Sequence, residues 1–449
     1  MKNLIFFDII LQDSSNAALQ NYTKVKLMTK PELLAPAGDI DKLKTALHFG
    51  ADAVYIGMKD FSLRANTKNF DNAQLCEAIA YTHSLGKKIY IAFNIYFTPE
   101  QTDDIVAALH HLAQLCPDGM IISDPGIILL ARQHAPNVPI HISTQANTTN
   151  QYAADFYKAQ GADRIVLARE LSLEQIRQIH QHTDIELEAF VHGAMCISYS
   201  GRCLLSTYMT TAGLGRRTDD TKTEPRSANK GDCVQPCRWE YILKEKSRPD
   251  QNYEVSEDEH GTYFMSSRDI CMIDHIADLI DAGVCSFKVE GRMKSLLYIS
   301  AIIASYRSMI DHICDGTPID RRIIERELNV VSHRDFSTGF FYQSPMTDAN
   351  ITSTMQYKRE MRLSGKVLGS SGDKMTVKVY NTISTDSDLE YVAPGLNIVK
   401  VGRIELFDRN GTPTDKIHHC DEATVRLYDT DGNVIIGQSM DILRMEADF

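Results

Sequence analysis

Four of the ten cysteines fall in one stretch of the chain, and their spacing could do chemistry. Cys196 and Cys203 have six residues between them, and Cys233 and Cys237 have three. The first pair follows an alternating segment, Glu188-Ala189-Phe190-Val191-His192, that reads as a strand; the second sits in a loop rich in Gly, Asp and Pro. Four thiolates gathered by a fold suit zinc or an iron–sulfur cluster. Structural zinc sites favour pairs about two to four residues apart on tight knuckles, a spacing the Cys196–Cys203 gap exceeds, whereas clusters accept more varied spacings. On spacing the cluster leads and zinc stays open. A disulfide pair fits less well, because no convincing export signal is present and reducing compartments disfavour disulfides. Four ordinary buried cysteines, crowded near Gly and Pro, is the least favoured reading.

Three more residues could act on a substrate. His192 precedes the cysteine loop at a strand end, where it could be a general base or a cluster neighbour, although a lone histidine is more often a satisfied core residue. Glu290 and Arg292 end another apolar segment. They could pair with each other or bind a carboxylated co-substrate, since arginine grips carboxylates bidentately. A peptidase needs a nucleophile with its base or a metal-activated water. No HExxH or GxSxG is present, and no spacing pairs Ser198, Ser200 or Ser206 with a histidine. Cys196 as a nucleophile would leave the other three cysteines without a role.

The elements that must position these residues alternate from Glu32 to about Asp315. Strand candidates are Glu32–Ala35, Ala53–Ile56, Lys88–Asn94, Met120–Ser123, Ile140–Thr144, Arg164–Ala168, Leu187–His192 and Ser286–Glu290, with helical patterns between most of them. Such alternation argues for parallel βαβ units, and eight of them match a (β/α)8 TIM-like barrel. A doubly wound open sheet is the runner-up; without a GxGxxG after the first strand a dinucleotide fold has little support. Barrel enzymes build their sites at the C-terminal strand ends. That rule selects Pro36, Gly38, Tyr55, Asn94, Asp124, Gln145, Asn147, Arg169, Glu170, His192, Glu290 and Arg292. It also puts the cysteine-bearing insertion, residues 193–284, on the same face. Basic residues bracket these cysteines, among them Arg202, Arg216, Arg217 and Arg238, so a local funnel for an anionic substrate competes with a solvated charged face.

The predicted organisation is an N-terminal extension over 1–30, the barrel over 31–315, a connector over 316–361 and a small all-β barrel over 362–449. In the last, short alternating segments are separated by Asp-Gly and Asn-Gly turns. Small β-barrels commonly bind oligonucleotides, and a packing or dimerisation role is the equal alternative. The net charge of −12 excludes global adaptation to nucleic acid, so RNA binding must come from a local patch. The longest apolar run falls far short of the roughly 20 residues of a membrane helix. The six remaining cysteines look structural, with Cys271 as a spare ligand, and unpaired thiols fit the cytoplasm.

The pattern Glu188-x-Phe190-x-x-Gly193-Ala194-Met195-Cys196-x4-Gly201-x-Cys203-x-Leu205-Ser206 resembles the signature of the peptidase U32 family. Pro31–Gly38, Gly50–Gly57 and Phe287-Lys288-Val289-Glu290-Gly291-Arg292-Met293-Lys294 agree with it, so the resemblance runs from about residue 31 to the C-terminus. It implies one of two activities. The first is oxygen-independent hydroxylation of RNA with a [4Fe-4S] cluster held by Cys196, Cys203, Cys233 and Cys237. The second is a collagenase-like peptidase. A chain of this length with a C-terminal β-domain most resembles the family's tRNA hydroxylases, which form 5-hydroxyuridine at the wobble position. The implied partners are a tRNA anticodon loop and a small carboxylated oxygen donor, prephenate. Homo- or hetero-oligomerisation is left open.

Overall fold

The computed structural model describes residues 29–59, 61–62, 69–194, 268–342, 359–408, 410–419 and 421–447, with the backbone of short strands between 242 and 262. Eight parallel strands close a barrel: β1 (Glu32–Pro36), β2 (Ala53–Gly57), β3 (Lys88–Phe93), β4 (Gly119–Ile122), β5 (Ile140–Ile142), β6 (Arg164–Val166), β7 (Glu186–Ala194) and β8 (Val284–Val289). Closure is explicit in the register. β8 pairs with β7 on one side, Phe287 opposite Ala189, and with β1 on the other, Phe287 opposite Leu33.

Helices follow the strands, and short polar side chains start them. Asp39 accepts from the Lys42 amide, Asn150 from Ala153, and Ser295 from Tyr298. Asp71 with Gln74, and Ser172 with Gln175, form reciprocal capping boxes. Along each strand alternate residues face opposite ways. Leu33, Val54, Ile56, Ile91, Ile122 and Phe287 pack outward beneath the helices. Leu34, Ala53, Tyr55, Tyr90, Ile121, Val166 and Phe190 form a separate apolar cluster inside the barrel.

The chain after β7 does not return directly to β8. Asp269–Cys271 runs antiparallel to the end of β7, with Cys271 opposite His192, and Phe336–Ser337 pairs with it in turn. The 20-residue helix Leu296–Asp315 then covers β1, and the helix Arg321–Asn329 leads to the second unit.

That unit is a closed antiparallel barrel of six principal strands: Met361–Ser371, Lys374–Val379, Glu390–Ala393, Asn397–Phe407, Glu422–Asp429 and Ile442–Glu446. Its own core holds Val367, Met375, Val377, Leu389, Val425 and Leu443. The two barrels also share apolar contacts, because Met361, Val392 and Ile442 join the large barrel's core. Among the described residues no helix is long and apolar enough to cross a membrane.

Candidate functional site

Inside the large barrel, below its apolar layer, lies a charged network. The Lys288 ammonium meets Glu188 at 2.6 Å, with both side chains essentially inaccessible. Arg164 bridges Glu188 at 3.4 Å and Glu32 at 2.5 Å, Ser286 Oγ donates to Glu32, and Tyr90 Oη donates to Glu32 at 2.6 Å. Burial is the largest influence on Lys288 and lowers its pKa, while Glu188 pulls it back. Glu32, Arg164 and Glu188 lie at or near the starts of their strands, and Lys288 reaches them from near the end of β8.

The segment Phe287–Lys294 shows how one strand end serves both halves. Phe287 and Val289 face out into the core, Lys288 faces the buried network, and Glu290 and Arg292 reach the mouth. Two tyrosines tie the turn down: Tyr55 Oη donates to the Val289 carbonyl at 3.0 Å and Tyr298 Oη to the Glu290 carbonyl at 2.9 Å. Glu290 accepts from Arg169 Nη2 at 3.2 Å. Arg292 is buried and donates to Ser62 Oγ at 2.7 Å. Two glycines make room for it. A Cβ on Gly57 would lie 2.2 Å from Arg292 Nη1, and one on Gly38 would lie 2.2 Å from the Arg292 carbonyl.

Of the strand-end residues named from sequence, Asp124 is a helix cap, its carboxylate accepting from Gly126 N at 2.7 Å. Arg169 gained importance. Its guanidinium stacks on Phe190 at 4.0 Å, and its Nη1 donates to the Ala194 carbonyl at 2.9 Å, where β7 hands over to the cysteine segment. The strand-end rule selects Arg169, five residues after β6 starts, but not these contacts. Cys196, Cys203, Cys233 and Cys237, and Arg202, Arg216, Arg217 and Arg238, lie outside the described residues. What the described part gives is the route: β7 ends at Ala194 on the mouth side, two residues before Cys196. A donor set of four thiolates suits an iron–sulfur cluster there. Among the described residues no group of three His, Cys, Asp or Glu could hold a metal ion. Burial pushes the Cys271 thiol up to about 11.

His192 is enclosed by the rings of Tyr298, Tyr306 and Phe336, at 6.0, 5.5 and 5.5 Å between centroids, and Tyr306 Oη lies 3.4 Å from its Nδ1. Burial drives its pKa down to about 3 from 6.5, so it is neutral in the folded protein. The unfolded chain takes up a proton at this residue below about pH 6.5 and the fold does not, so stability falls as pH drops through that window toward 3. From pH 7 to 5 this one group should cost about 2 kcal/mol. Urea unfolding of wild type and His192→Phe at both pH values checks it. The variant should lose less stability on acidification, and an equal loss would remove His192 as the cause.

A closed parallel barrel with a charged interior and a polar mouth at its C-terminal strand ends defines an enzyme-type TIM barrel carrying a second, β-barrel unit. A sequence profile of Peptidase family U32 matches residues 38–350, and the chain belongs to that family. It is 36% identical over 395 residues to "tRNA hydroxylation protein P1" of Bacillus subtilis (strain 168), covering 87% of this chain and 90% of that one. It is 35% identical over 413 residues to "tRNA hydroxylation protein P" of Escherichia coli (strain K12), covering 83% and 88%. It is also 39% identical over 284 residues to the "23S rRNA 5-hydroxycytidine C2501 synthase" of the same organism, covering 63% of this chain and 40% of that longer one.

Proposed function

We propose that the protein is an RNA hydroxylase that forms 5-hydroxyuridine at the wobble position of tRNA, without O₂, in the cytoplasm. The observation that carries this reading is the near full-length match to relatives named for tRNA hydroxylation, which takes in both barrels. Hydroxylating C5 replaces a C–H bond by C–OH, a two-electron oxidation of the base, so an oxygen donor must be reduced alongside. Prephenate, a carboxylated metabolite, is the donor implied by the family resemblance. Arg292, seated over Gly57, and Arg169, held by Glu290, place positive charge at the C-terminal strand ends, which favours an anionic ligand there. Cys196, Cys203, Cys233 and Cys237 would hold a [4Fe-4S] cluster, which supplies one-electron transfer when bound. Glu290 orients Arg169, and His192, being neutral and enclosed, shapes the wall behind the cysteine segment rather than moving a proton.

The peptidase reading draws less support, since among the described residues His192 is enclosed by two tyrosines and a phenylalanine. Mass spectrometry of tRNA tests the proposal. Cells lacking this protein and any second family member should lose 5-hydroxyuridine and its derivatives, with or without oxygen, and recover them with the intact gene. Unchanged modified uridines in those cells would return the peptidase reading to the front.

A further inference from the structure

The C-terminal ends of β5 and β6 carry three buried polar atoms without a hydrogen-bond partner among the described residues: Asn147 Oδ1, Thr148 Oγ1 and Arg169 Nε. Buried polar atoms are nearly always satisfied, so three together call for a missing partner. They lie on two neighbouring strand ends. The Thr148 carbonyl accepts from Ala168 N at 3.2 Å, and Thr144 Oγ1 donates to the Leu167 carbonyl at 3.0 Å, which binds the two strand ends side by side.

The backbone of Asn147 and the side chain of Arg169 are each held in place. Asn147 follows the tight turn Thr144–Ala146 and has φ of 57°, a left-handed backbone uncommon outside glycine. Its backbone N–H donates back to the Thr144 carbonyl at 3.0 Å. Such backbone outliers concentrate at functional sites. Arg169 lies flat on Phe190, with Nη1 on the Ala194 carbonyl and Nη2 on Glu290. Two anchored ends and a stacked plane fix where the remaining Nε–H points. The result is a fixed donor at the end of β6 and an acceptor at the end of β5, with the Thr148 hydroxyl able to serve as either.

We propose that Asn147 and Arg169 read the hydrogen-bonding edge of the target pyrimidine and select uracil over cytosine. This rests on the RNA-hydroxylase reading and specifies the base-binding part of that site. Uracil presents a ring N3–H donor next to a carbonyl acceptor. Asn147 Oδ1 accepts from N3–H, and Arg169 Nε–H donates to the adjoining carbonyl. Cytosine carries a bare N3 acceptor at the same place, so two lone pairs would face each other. A good pair of contacts to a base edge discriminates by about tenfold or more.

The test is equilibrium binding of full-length protein, purified without oxygen, to an anticodon stem-loop with uridine at the wobble position and to the same RNA with cytidine. Wild type should bind the uridine RNA about tenfold more tightly. Asn147→Ala and Arg169→Lys should bring the two affinities together, the latter because lysine is a point charge without the fixed fork. Asn147→Asp keeps an acceptor in place and should keep the preference. Thermal melting of each variant guards against misfolding. If Asn147→Ala and Arg169→Lys retain the preference, or if wild type shows none, the pair is met by ordered water and the assignment is overturned. Failure of wild type to bind either RNA would instead overturn the RNA-hydroxylase reading, and this inference with it.

Discussion

Cys203→Ala should empty the protein of iron and sulfide and stop tRNA modification. Protein purified without oxygen should be brown and contain about four iron atoms per chain, as one cubane requires. With one thiolate gone, the remaining three ligands leave an iron site open to solvent and oxidants, so iron content should fall. The same should hold for Cys196, Cys233 and Cys237. Burial pushes the thiols of Cys271 and Cys285 up to about 11, which disfavours their thiolates. Cys76 is exposed on a barrel helix and Cys314 lies near the end of Leu296–Asp315, so alanine at either should leave iron and colour unchanged. Stoichiometric zinc without iron in the wild type, or full iron in Cys203→Ala, would sink the four-thiolate cluster.

Local pattern carried the elements well. Glu188–His192 was legible as a strand because its alternation survives in the structure, Phe190 inside the barrel and Val191 in the outer core. The apolar segments and their intervening helices announced the parallel barrel, and the closing pair between β1 and β8 supplies what periodicity could not. The contacts that fix the interior were not legible. Glu32, Arg164, Glu188 and Lys288 each sit in a strand-like run, and their ion pairs join residues up to 132 positions apart. Arg169 looked like one strand-end cation among several until its stack on Phe190 and its bond to Ala194 appeared. Two tail strands, Glu390–Ala393 and Ile442–Glu446, escaped the sequence reading. The first is short, and the second carries an arginine where alternation leads one to expect solvent.

That arginine supports the second large effect. Arg444→Leu should destabilise the protein by about 3–5 kcal/mol, the cost of leaving a buried charge without its partner. Arg444 forms a two-pronged pair with Glu327 of the helix Arg321–Asn329, both bonds 2.6 Å, and both side chains are fully buried. Its Nε also donates to Glu390 at 2.9 Å. The pair sits where the two barrels meet, beside Val392 and Ile442 in the shared core and near Lys366–Asp41 at 2.8 Å and His48–Asp441 at 2.7 Å. Removing Arg444 strands the Glu327 carboxylate in a low-dielectric seam, which favours separation of the β-barrel from the large barrel. Because the pair is dry, added salt should change this loss little, unlike the loss from cutting the more exposed Arg326–Glu390 pair. Replacing both partners with leucine removes the stranded charge along with the pair, so Arg444→Leu/Glu327→Leu should recover most of the stability. Urea unfolding measures the energies, and limited proteolysis of the residues between the barrels reports whether they have parted. A single variant within about 0.5 kcal/mol of wild type, or a double variant no better than the single, would show that the Arg444–Glu327 pair does not hold the two barrels together.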